Sequence, residues 1–167
     1  MLSNNLKLRK KIYSEDDFTE HMWNDNKVHS IIFDELMSSL KLDIDYIIQW
    51  EKSNNPDDPI LRTWQIPAII TFRDVFNIEV NFRREGAYNQ CEIVNVDRLR
   101  NSGEDEFYGF KIHFGPMDFG TIVLSDTTSY NMNLIGEPQY CQGSNLDIIV
   151  RKKIIKENID QYLDLLY

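Results

Sequence analysis

The stretch SLKLDIDYIIQW, residues 39 to 50, constrains the fold of this chain more than any other. Leu40, Leu42, Ile44, Tyr46, Ile48 and Trp50 fall on one parity, and Lys41, Asp43, Asp45 and Gln49 on the other. Successive side chains of a strand point to opposite faces, so this alternation predicts a strand with its apolar face on a core and its polar face in solvent. KVHSIIF precedes it across the polar hinge DELMSS, which predicts an antiparallel hairpin. TWQIPAIITF, NIEVNFR, QCEIVNVDRL, FYGFKIHF, TIVLSD and YNMNLIGEP extend the pattern to about seven or eight short strands. Within them Ile70, Phe72, Ile78, Val80 and Phe82 are expected inward, and Tyr108, Phe110, Ile112 and Phe114 share a face. EKSNNPDDP, REGAYNQ and NSGEDE have the composition of loops and turns, with REGAYNQ joining its flanking strands as a hairpin. Pro67 has no N–H to donate, so a strand start, a bulge or an edge is its expected place.

The two ends differ in kind. Ser14 is followed three residues later by Asp17, with acids in the first turn of SEDDFTEHMW, and this predicts a short N-terminal helix. From Asn145 onward NLDIIVRKKIIKENIDQYLDLLY contains neither Gly nor Pro and sets Ile148, Ile155, Ile159, Tyr162 and Leu166 at helical spacing. One amphipathic helix over 145 to 167, packed on the sheet, follows. The expected class is α+β, dominated by an antiparallel β-sheet arranged as a meander, a sandwich or a partly open barrel. With 167 residues, no repeat and no break in composition, the chain reads as a single domain with a basic arm over residues 1 to 13.

The net charge is −9, unevenly spread. Lys7, Arg9, Lys10 and Lys11 lie near the N-terminus, and Arg151, Lys152, Lys153 and Lys156 open the C-terminal segment. Residues 12 to 150 hold 10 basic and 24 acidic residues, a net of −14. Such a body repels phosphate backbones and attracts basic surfaces, so nucleic acid is not an expected partner. No apolar run reaches the roughly 18 residues of a membrane span, and no apolar leader pattern opens the chain. No membrane association and a cytoplasmic location are expected. Cys91 and Cys141 form no CxxC pair, which suits reduced thiols in that compartment.

Few residue patterns point to chemistry. Asp43 and Asp45 share a strand face about 7 Å apart, within reach of a shared cation, but two carboxylates do not complete a metal site. His21, Asp25 and His29 have the spacing H-x3-D-x3-H, which would align three ligands on a continuous helix. The turn-forming NDN between them argues against that helix. There is no GxSxG elbow and no phosphate-cradling glycine loop, so no catalytic residue, metal or cofactor is expected.

The order MWNDNKVHSIIFD, LKLDIDYIIQW, WQIPAIITFRDVFNIEV, EIVNVDR, FKIHF and GTIVLSD resembles a group of small bacterial β-rich proteins similar to the immunity proteins of bacterial toxin systems. In those proteins a Trp-His-Asp segment precedes the first strand. Trp23 and Asp25 match it, while Asn24 stands where histidine is usual, so no metal or catalytic role carries over. Asp43, Asp45 and Tyr46 match the second strand; Pro67, Ala68, Phe72, Asp74 and Val75 match a PA-x-x-x-F-x-[DN]-V segment.

The resemblance implies a non-catalytic protein that binds and neutralises a cognate toxin. A basic, nuclease-type toxin suits the acidic charge. Asp43, Asp45, Tyr46 and Asp25, with Glu104, Asp105 and Glu106 of the GEDE turn, are the expected partner-binding residues. The alternatives are a metal-dependent enzyme using the Trp23 to His29 segment with Asp43 and Asp45, and a scaffold or homo-oligomer subunit.

Overall fold

The computed structural model describes residues 6–36, 38–51, 62–82, 91–100, 108–115, 119–127, 129–143 and 145–167. The strands are β1 (Ile12–Ser14), β2 (Asn26–Asp34), β3 (Ser39–Glu51), β4 (Arg62–Arg73), β5 (Asn77–Phe82), β6 (Cys91–Arg100), β7 (Tyr108–Gly115), β8 (Gly120–Thr127), β9 (Ser129–Leu134) and β10 (Gln139–Gln142). They form one antiparallel sheet in the order β1-β9-β4-β3-β2-β6-β7-β8-β5, with β10 beside β4. Two helices close the chain, α1 (Ile148–Glu157) and α2 (Ile159–Leu166).

The predicted hairpin of β2 and β3 forms, but the sheet is not a meander. β5 pairs with β8 at the far edge, not with β6, so the strands on either side of REGAYNQ are not paired with each other. The sheet also curls. Strands β4 and β7 are four steps apart in the order, roughly 19 Å in a flat sheet, yet the Phe72 and Phe110 rings lie 5.2 Å apart. The two halves therefore fold over a shared core of Leu40, Leu42, Ile44, Ile66, Ile70, Phe72, Phe110, Ile112, Phe114, Ile122 and Leu124. Leu42, Ile44, Tyr46, Ile70 and Phe72 are buried as their alternation predicts.

Pro67 sits in mid-strand, where β4 changes partner. On the edge away from β3, residues Arg62 to Gln65 pair with β10 and Ala68 to Arg73 with β9. Pro67 falls in the seam between them, where a missing N–H breaks neither ladder, and its carbonyl accepts from Ile135 N at 2.8 Å. The site is edge-like without being at an edge.

Several expectations are corrected. The segment after Ser14 is a 3-10 turn (Glu15–Glu20), not an α-helix, with Asp17 accepting from Ser14 N at 2.8 Å. Ile47, on the parity of Asp43 and Asp45, is buried on the covered outer face, and after the bulge between Ile47 and Gln49 the strand emerges, leaving Ile48 and Trp50 half-exposed. Ile78, Val80 and Phe82 are exposed, β5 being the last strand of the sheet path and paired with β8 alone among the described strands. The C-terminal helix breaks at Asn158, whose Nδ2 donates to Ile154 O at 2.9 Å. Its buried residues are Arg151, Ile154 and Leu166, while Ile148 and Ile159 face outward.

The helices lie on the outer face of the sheet and bury it. Leu166 packs with Ile69 and Ile135, and Ile154 with Cys141 and Leu146. Asp147 caps α1, accepting from Ile149 N and Val150 N at 2.7 and 3.3 Å. Gly136, at φ +79°, lets the helix come close, since a Cβ there would lie 2.6 Å from Ile154 Cγ2. Among the described residues no helix is long and apolar enough to cross a membrane. Both cysteines are free thiols, raised by burial to about 11.

Candidate functional site

Asp43 and Asp45 point to the outer face, as their parity requires, but that face is covered. They are 2% and 1% exposed, and the expectation that they are open to solvent is overturned. The guanidinium of Arg151, itself buried, donates through Nε to Asp45 Oδ1 at 2.7 Å and through Nη2 to Asp43 Oδ1. Tyr162 OH donates to Asp43 Oδ2 at 2.8 Å, and His29 Nε2 lies 2.8 Å from Asp45 Oδ2. Burial raises the Asp43 carboxyl above its ordinary range, against the opposing pull of Arg151 and Tyr162. Burial likewise raises Tyr162 to about 12, with the Asp43 charge adding to it. This constellation locks the helices to the sheet: the cation between the two carboxylates is the protein's own.

Tyr46 also proves internal. It is 4% exposed and on the core face, its hydroxyl accepting from Met22 N at 3.4 Å and lying 3.4 Å from His21 Nδ1. His21 stands among the rings of Tyr13, Trp23, Tyr46 and Tyr130, with centroids 4.8 to 6.0 Å away. Burial drives its imidazole down to about 4. Among the described residues there is no group of three or more His, Cys, Asp or Glu placed to hold a metal ion. The H-x3-D-x3-H spacing runs through a loop, a turn and a strand: His21 follows the 3-10 segment, Asp25 sits at φ 64° and His29 belongs to β2.

Asp25 is the one predicted binding residue among the described residues that stands exposed. Its turn is pinned from below by Asn26, fully buried, whose Nδ2 donates to Met22 O and Trp23 O and whose Oδ1 accepts from Ile47 N at 2.7 Å. Asp25 raises the carboxyl of Glu92 on β6, though burial is the larger cause. Glu104, Asp105 and Glu106 lie outside the described residues.

Five residues further along β6 from Glu92, roughly 16 Å by strand rise, an open cleft of about 630 Å³ separates the strand from the 3-10 turn. Glu15, Asp16, Phe18 and Thr19 form one wall; Val96, Asp97 and Arg98 form the other. Asp16 is exposed, and Asp97 is held upright by Asn95 Nδ2 at 2.7 Å and His113 Nε2 at 2.8 Å. Glu15 Oε1 and Tyr130 OH are buried and make no hydrogen bond among the described residues. Both Glu15 and Arg98 act electrostatically on that tyrosine. The Asp97 side chain, out of phase with Val96 and Arg98 along β6, is engaged by Asn95 and His113, so the carboxylates of the cleft itself are Glu15 and Asp16; beside the apolar Phe18 and Val96 they suit an aliphatic stem carrying a positive head. Sequence reasoning missed this cleft, because Glu15 and Asp97 are brought together only by the curl of the sheet.

By fold and site the chain is a curled antiparallel sheet with a helical cover on one face and an acidic cleft at the mouth of the other. Comparison with protein-family models, with curated proteins and with solved structures found no match.

Proposed function

We propose that the protein is a non-catalytic binding protein that neutralises a basic protein partner, in the manner of an immunity protein acting on a cognate bacterial toxin. The observation that carries this reading is the cleft between the 3-10 turn and β6, lined by Glu15 and Asp16 with Asp97 on the β6 side, on a chain of net charge −9. A lysine or arginine entering the cleft is drawn to its acidic wall. A toxin that acts on nucleic acid must carry cations to hold its substrate, and those cations make it complementary to this surface. Asp25 and Glu92 extend the acidic surface along β6 from the cleft.

The reading places recognition on the turn and β6, while Asp43 and Asp45 serve the fold. It uses no metal: the lone pairs that a metal enzyme would need at Asp43 and Asp45 are taken by Arg151, Tyr162 and His29. The test is growth rescue by co-production with a toxic domain encoded beside the gene. Wild-type protein is expected to protect, and the variant Asp16→Lys/Asp97→Lys to fail while keeping its melting temperature. Equal protection by the variant overturns the cleft as the docking site.

A further inference from the structure

We infer that the protein holds a single sugar ring in a polar pocket on the outer face of the sheet, beside the end of α2. Three neighbouring strands build its floor: Ser39 and Lys41 come from β3, Thr71 from β4, and Asn131 and Asn133 from β9. All five stand on the outward parity of their strands, and the ladders set Lys41 beside Thr71 and Thr71 beside Asn131. Where α2 ends, the outer face passes from apolar to polar. Ile69 packs under Leu166, and Thr71, two residues on, already lines the pocket. Leu165 and Tyr167 form a wall, and the space between helix end and sheet is about 350 Å³, within the range of small-molecule sites.

The floor offers hydrogen bonds that the fold does not use. Ser39 is 6% exposed, and its Oγ is buried with no hydrogen-bond partner among the described residues. A buried hydroxyl left unpaired costs stability, and on this floor it stands where a ligand's hydroxyl would pair it. Asn133 Nδ2 donates to Asn131 Oδ1 at 3.0 Å, which leaves the Asn131 amide to donate and the Asn133 carbonyl to accept.

Charge selects a neutral occupant. Lys41 and Arg73 are set against Asp74 and Asp164 around the same space, so an anion meets two carboxylates there and a cation meets two bases. Lys41 is engaged by Leu166 O at 3.0 Å and by Asp34 at 3.6 Å, and Arg73 and Asp74 have interactions of their own. Hydroxyl and amide groups remain to meet the ligand, and ring hydroxyls, which both give and take hydrogen bonds, match them. The Tyr167 ring, 88% exposed at the rim, presents a flat face to the C–H side of such a ring. The pocket shares no residue with the acidic cleft, so the inference stands apart from the function proposed for that cleft.

The test is an NMR titration of the isotope-labelled chain with D-glucose, D-galactose, D-mannose, D-ribose and N-acetyl-D-glucosamine, each also as its methyl glycoside. At least one is expected to shift the side-chain amide signals of Asn131 and Asn133 saturably. Ser39→Ala removes an unpaired buried hydroxyl, so it is expected to keep or raise the melting temperature while raising the dissociation constant for that sugar about tenfold. Tyr167→Ala, at an exposed ring, is expected to weaken binding with the fold intact. Binding of the methyl glycoside assigns the end of a glycan, binding of the free sugar alone a soluble molecule, and either supports the site. No saturable shift with any of these sugars, binding unchanged in both variants, or tighter binding of inorganic phosphate than of every sugar would each overturn the inference.

Discussion

Arg151 and Asp45 are 106 positions apart in sequence and 2.7 Å apart in space, Nε to Oδ1, with almost no solvent around either. The same guanidinium reaches Asp43, so one cation in α1 neutralises two anions in the middle of the sheet. Removing one side of such a pair strands buried charge, whereas removing the whole set for apolar groups is far less costly.

Arg151→Ala is therefore expected to lower stability by about 3–5 kcal/mol, and Asp43→Asn/Asp45→Asn by a similar amount through the orphaned guanidinium. The triple variant with Arg151→Met should recover most of the loss. Urea unfolding of the four proteins measures this, and losses that simply add would show that the three side chains do not act as a unit.

Ile44 and Phe72 are 0% and 1% exposed in the shared core. Replacing either with Ala removes burial and leaves a cavity, at an expected cost of about 2–5 kcal/mol. Val80→Ala, on the exposed β5, should cost less than about 0.5 kcal/mol. Chemical denaturation compares the three.

His21 sets a pH dependence. Burial depresses its imidazole from 6.5 to about 4, with Asp17 pulling weakly the other way. A histidine depressed in the fold favours the neutral form, so its contribution is complete above about pH 6.5 and is lost as pH falls toward 4. The shift corresponds to about 3 kcal/mol across that window. Unfolding free energies measured from pH 7 to pH 4 should show the decline, and His21→Phe should flatten it.

Docking at an exposed acidic cleft is expected to act on association rate. For a basic toxin domain, the rate should fall as salt rises, and Asp16→Asn/Asp97→Asn should reduce that dependence with little change in dissociation. Stopped-flow mixing at low and high salt separates the two rates.

The inner face of β3 is legible in its alternation, and so is the hairpin with β2. The outer face is not, because alternation alone assumes that the polar side meets water. A faint signal lies one strand over: in TWQIPAIITF the outer parity carries Ile69 and Pro67 among uncharged Thr63, Gln65 and Thr71, with no charge to hold that face in water. A helix rich in cations was available to supply the cover and the counter-charge together. In contrast, β5 looks locally like any buried strand, and only its place at the end of the order exposes it. The cleft has no local signature at all, since its walls are some eighty residues apart.

The dependence of Asp43 and Asp45 on Arg151 also has a consequence in time. A chain made at roughly 5–20 residues per second presents β3 some 5–20 seconds before the arginine that completes it. Through that interval every strand can exist while the centre of the sheet still carries two uncompensated anions and an uncovered apolar flank at Ile69 and Ile135. Completion waits for α1 and α2, which follow all ten strands in the chain. A chain stopped between β10 and α1 would hold the strands of the sheet and none of its helical cover.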